Sequence, residues 1–140
     1  MALRARGTPR RVTEGQDAPA RSMSVPSLPR SVSELRRFAV AASREQGFTG
    51  DSDTLALLVS EVATNALLHG RGEVRLSVVQ RAGRLRVEVS DASNRLPVRR
   101  EADLEAQGGR GVALLEQLSE NWGVRPLPLR GKIVWFELAV

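Results

Sequence analysis

Residues 51–70 read DSDTLALLVSEVATNALLHG. Leu55, Leu57, Leu58, Val59, Val62, Ala63, Ala66, Leu67 and Leu68 lie nearly all the way round a helical projection of this stretch. A helix that is apolar on every side is a buried helix. Asp51 or Asp53 can cap its start, and Gly70 follows His69 where the helix should stop. One stripe breaks the pattern: Glu61, Asn65 and His69 recur every four residues and share a face. Burying an amide without a partner costs about 2–7 kcal/mol, and a lone carboxylate costs more. The stripe therefore needs a cavity, a cation or a polar ligand. A hard cation held by the Asn65 oxygen would suit it, with Glu61 beside it to order a water or accept a proton.

Upstream, Ser31–Gln46 reads as a first helix, because Val32, Leu35, Phe38, Ala39 and Ala42 recur at three- and four-residue spacing. Ser31 or Ser33 can cap it, Glu34 completes a capping box, and Gly47 closes it. Downstream, residues 73–80 (EVRLSVVQ) and 85–90 (LRVEVS) alternate apolar and polar side chains around a turn at residues 81–84, so they read as a hairpin. Asp91 ends its second strand. Periodicity is then lost over residues 92–108, a length of loop that is usually functional. Gly109-Arg110-Gly111 opens a third helix, Val112 to about Glu120. Trp122–Arg125 and Ile133–Ala139 close the chain as strands joined by the turn-rich Pro126–Gly131, with both tryptophans expected in the core. This order predicts an α+β fold: a two-layer sandwich with a mixed, mostly antiparallel sheet, helices on one face and the other face partly wet.

At 140 residues the chain has room for one domain. The absence of Cys excludes disulfides, thiolate zinc sites and cysteine nucleophiles, and a single His leaves oxygen-held metals as the remaining metal chemistry. No apolar run approaches the roughly 18 residues that span a bilayer, and no secretory h-region opens the chain. The expectation is a cytoplasmic domain with no membrane partner. The formal charge of +5 is concentrated at the start, where residues 1–30 hold six arginines and two acids. Residues 1–23 read as a disordered basic tail, with an extended piece near Ser24–Leu28 and the domain at 24–140. A basic arm can touch nucleic acid. With 20 arginines and one lysine in the chain, however, Arg is its general-purpose base, and nucleic acid is not the expected partner.

Two further elements carry chemistry. Gly109-Arg110-Gly111-Val112 at a helix start offers free backbone N–H groups and the positive end of a helix dipole to an anion. Asp91 at a strand end can accept a hydrogen bond from an exocyclic amine.

In this order the three elements resemble the GHKL superfamily of ATPases. Residues 61–70 (EVATNALLHG) look like its N box, Val89-Ser90-Asp91 like the start of its G1 box, and residues 109–114 (GRGVAL) like its G2 box. The compact form is most similar to the anti-sigma-factor serine/threonine-protein kinases. The resemblance covers about residues 30–140 and implies a Bergerat-type ATP-binding fold with ATP and Mg²⁺ as cofactors. It implies that Asn65 coordinates Mg²⁺, Glu61 acts as general base and Asp91 hydrogen-bonds the adenine amine. It places Ser93, Gly109, Arg110, Gly111 and Val112 along the nucleotide, with residues 92–108 as a lid. It implies a sigma factor and an anti-anti-sigma protein as partners, and a homodimer.

The chain departs from the pattern at three positions. Ser93 replaces the first glycine after the G1 aspartate, Ala113 replaces a G2 glycine, and Ile133 stands where relatives commonly have a Thr that supports adenine recognition. Loss of that hydroxyl removes one hydrogen bond, about 0.5–1.5 kcal/mol. These departures keep open an alternative, a non-catalytic partner-binding module of the same fold, with or without nucleotide.

Overall fold

The period-two segments pair as expected. In the computed structural model, which describes residues 19–69, 72–92, 109–128 and 131–140 with backbone alone at 69 and 109–111, a hairpin forms from Glu73–Arg81 (β2) and Arg84–Asp91 (β3). Its two-residue turn has Ala82 and Gly83 at φ 52° and 75°. Two positive φ values give the turn whose twist matches that of the flanking strands.

The remaining elements are β1 (Arg21–Pro26), α1 (Ser31–Glu45), α2 (Ser52–His69), α3 (Gly109–Leu118), β4 (Asn121–Leu127) and β5 (Gly131–Ala139). The sheet order is β1-β2-β3-β5-β4, and every described pairing is antiparallel. The expected mixed sheet is thus corrected. β3 and β4 do run the same way, but β5 returns between them and pairs with both. β4 is an edge strand, so it tolerates Pro126, which has no N–H to donate.

β1 begins at Arg21, inside the stretch read as tail. Met23 and Val25 turn toward the core, and β2 offers a whole edge for pairing, from Arg21 opposite Val78 to Pro26 opposite Glu73. Arg21 is ion-paired with Glu45 at the end of α1. Beside the start of β1, Gln46 accepts a hydrogen bond from the Gln80 N–H (2.7 Å) and donates one to the Val78 carbonyl (3.1 Å), which ties the end of α1 to β2.

The side-chain cap expected on α1 is not made. Its first-turn amides are satisfied instead by the chain just upstream, Ser31 N–H to the Leu28 carbonyl and Val32 N–H to that of Pro29. Gly47 closes the helix at φ 91°. Asp51 caps α2, accepting from the Asp53 N–H at 2.9 Å and the Thr54 hydroxyl at 3.0 Å.

All three helices lie on one face of the sheet, α1 over β1 and β2, α2 over β2 and β3, and α3 over β4. α2 is the middle helix and contacts both others, which explains why most of it is apolar. Leu55, Leu58, Val59, Val62, Ala63 and Ala66 are buried against Leu76, Val87, Val89 and Phe136 in one core. The burial is not complete, however. Leu57 and Leu68 are 42% and 53% exposed, because two neighbours and a sheet still leave one stripe of the helix outside.

Trp122 belongs to that core, but Trp135 does not. Trp135 lies on the opposite sheet face, directly across from Gly123, which has no side chain to displace it. It is covered by the Arg86 guanidinium, 4.1 Å from the ring centroid, and Arg86 is itself ion-paired with Glu88 and Glu137.

Candidate functional site

The topology brings the chemistry-bearing residues to one end of the sandwich. α2 ends at His69 and β2 starts at Glu73, so the C-terminal turns of α2 lie at the end of the sheet where β2 begins. Arg75 pairs with Ser90, so the same end carries the last residue of β3, Asp91. α3 enters β4 almost directly, and Asn121 is level with Glu137 and Arg86 toward the far end of the sheet. Ten helical residues span about 15 Å, so the start of α3 points back to the Asp91 end. α2 packs on both α3 and β3.

Glu61 and Asn65 sit one turn apart on α2, as the spacing predicts. Glu61 is half-buried. Asn65 is only 8% exposed, and its amide is not among the buried side-chain groups left without a hydrogen-bond partner. A polar side chain at this depth is normally hydrogen-bonded, by the protein, by water or by a ligand. It fits a polar ligand or a hard cation. Among the described residues no three acids or histidines cluster to hold a metal unaided. A cation there would need ligand oxygens in addition to Asn65, which is how Mg²⁺ usually binds alongside phosphates.

Gly109 is the first helical residue of α3, so Gly109, Arg110, Gly111 and Val112 form its first turn and do not precede it. First-turn N–H groups have no partner within their helix, and small residues there let an anion approach the backbone. Val112 is buried. Ser93, the rest of the expected lid to residue 108, and Gly70 lie outside the described residues.

Asp91 continues the inward-facing row Leu85, Val87, Val89, and its carboxylate is completely buried. Directly across the β3–β5 ladder is Lys132. Its ammonium stands 3.1 and 3.0 Å from the two carboxylate oxygens, with 1% of its side chain exposed. Breaking a buried ion pair by removing one member typically costs about 3–5 kcal/mol. Sequence reading missed Lys132 as a site residue. The available signal was its uniqueness: the only lysine in the chain lies in phase with Val134 and Phe136 in an alternating strand.

The same alternation removes the concern about Ile133. It pairs with Ser90 and faces the other side of the sheet, so its side chain cannot support Asp91. The cross-strand partner of Asp91 is the residue before it.

A helix-backed antiparallel sheet with a buried asparagine, a glycine-rich helix start and a buried strand-end carboxylate at one end defines an ATP-binding α+β domain. The model of the histidine kinase-like ATPase domain matches residues 25–137, and the chain belongs to that family. No curated protein matches it. No helix among the described residues is long and apolar enough to cross a membrane.

Proposed function

We propose that this chain is a serine/threonine-protein kinase of the anti-sigma-factor type, which holds a sigma factor and phosphorylates a Ser or Thr of an anti-anti-sigma protein. The observation that carries this reading is the placement of Asn65, 8% exposed, one turn from Glu61 and at the end of the sandwich shared by Asp91 and the start of α3. Family membership supports the nucleotide, and the N-box and G2-box resemblance supports the kinase type.

In this reading the first-turn amides of α3 bind and orient the phosphates of ATP. Asn65 would be the residue of this chain that holds Mg²⁺, and the ion would supply neutralisation of phosphate charge. Asp91 accepts from the adenine amine. Glu61 takes the proton of the attacking hydroxyl while that oxygen bonds to the γ-phosphorus and the bond to ADP breaks. Phosphoryl transfer depends chiefly on this positioning and charge neutralisation.

The test incubates the full chain with labelled ATP, Mg²⁺ and the cognate antagonist protein. Label should pass to the antagonist, and Glu61→Gln should slow the transfer by about 10²–10⁴-fold, the usual contribution of a general base. ATP binding without transfer would replace the kinase with a non-catalytic nucleotide-binding module. Absence of ATP binding would remove both.

A further inference from the structure

The most unusual feature of the interior is that the only lysine of a chain with 20 arginines is buried, and buried against Asp91. A compact ammonium is a strongly hydrated charge that solvent-facing positions normally keep. Here it touches both oxygens of one carboxylate, at 3.1 and 3.0 Å. Two contacts from one rigidly placed cation fix both the rotation of the carboxylate and its character as an acceptor. A carboxylate has about four lone-pair directions, and Lys132 uses one on each oxygen. The pair is directly cross-strand, at the close of β3 and the opening of β5. Gly131 keeps the two backbones in close approach there, since a Cβ on it would fall 1.9 Å from the Asp91 carbonyl oxygen.

We propose that Lys132 is a positioning residue that sets the base preference of the nucleotide site, by holding Asp91 as an oriented, acceptor-only group that takes a purine with an amine at its six-position and rejects one with a carbonyl. The inference rests on the nucleotide reading above and assigns it a selectivity device. An acceptor facing an exocyclic N–H makes a charge-assisted hydrogen bond. The same acceptor facing a carbonyl oxygen leaves two buried acceptors opposed, which is how sites built around a hydrogen bond reject close analogues. Without Lys132 the carboxylate loses the cation that touches both of its oxygens, and with it the fixed rotation and the acceptor-only character. It then satisfies either base.

The experiment compares ATP with ITP, which carries a carbonyl in place of the amine and a proton on the adjacent N1, by calorimetry on the full chain with Mg²⁺. Wild type should prefer ATP by at least about tenfold, the value of one hydrogen bond to a charged group. Lys132→Met should bring the two affinities together. Asp91→Asn combined with Lys132→Met removes both charges of the pair, and its amide can offer either its donor or its acceptor. That double variant should bind both nucleotides about equally, with thermal unfolding confirming that it is folded. A lysine with a merely structural role would weaken both nucleotides alike and leave their ratio unchanged. Retention of the wild-type ratio in either variant overturns the assignment, as does failure of both variants to fold, which would make the pair structural. Wild type that binds ATP and ITP equally also overturns it while leaving the nucleotide site standing. Wild type that binds neither defeats the site itself.

Discussion

Gly131 lies against Asp91 so closely that a Cβ on it would sit 1.9 Å from the Asp91 carbonyl oxygen and 2.6 Å from the Ala92 Cα. Its φ of 98° belongs to the region that side-chain-bearing residues avoid. Both constraints fall where the buried Asp91–Lys132 pair is assembled. Gly131→Ala should therefore destabilise the domain by about 2–4 kcal/mol, combining left-handed strain with overpacking. Denaturant unfolding measures the loss, and an effect under 1 kcal/mol would mean that the strands separate there at little cost.

Asn65→Ala separates a ligand-binding amide from a structural one. If the amide serves a ligand and not the scaffold, its removal should change the stability of the ligand-free protein by no more than about 1 kcal/mol. The stabilisation given by ATP and Mg²⁺, about 2.7 kcal/mol for wild type at 100 times Kd, should largely vanish. Thermal unfolding with and without the ligands reads both. A variant badly destabilised without ligand would assign Asn65 to the scaffold.

Ala82 holds φ 52° in a two-residue turn. Ala82→Asn creates the Asn-Gly pair that this turn favours and should stabilise the protein by about 0.5–1 kcal/mol. A shift in the urea midpoint at unchanged slope would record it.

The Asp51 carboxyl is held below its ordinary value of 3.8 first by the Asp53 N–H, then by the Thr54 hydroxyl, against a smaller opposing effect of burial. A depressed folded value means that the contribution is complete above the unfolded value and is lost as pH falls through the folded one. Asp51→Ala should lower Tm at neutral pH, and the gap from wild type should narrow as the pH drops below about 3.8. A gap that does not change with pH would mean that the charge of Asp51 contributes nothing to the cap.

The guanidinium of Arg86 over Trp135 should show as a coupling of about 0.5–1 kcal/mol in a double-mutant cycle of Arg86→Met and Trp135→Leu. Ion pairs of Arg86 with Glu88 and Glu137 share the site, so the cycle is run in 1 M salt, where the Debye length is about 3 Å. No coupling there would reduce the stack to an electrostatic by-product.

The elements themselves were legible from the chain because they rest on short-range patterns. The 3.6-residue recurrence of α1, the period-two alternation of β2 and β3, the Asp51 cap and the Gly47 stop are decided by neighbours within a few residues. The Glu61–Asn65 stripe was equally plain, since helical geometry alone sets two residues four apart on one face. Only the tertiary structure decided what lies across from what. It inserted β5 between β3 and β4, drew Arg21 into a strand, left Leu57 and Leu68 outside, and moved Trp135 to the far face of the sheet. It also chose Lys132 over Ile133 as the partner of Asp91, 41 residues away. A one-residue change of register exchanges the faces of a strand, and register between distant strands is settled by which side chains the whole core can bury.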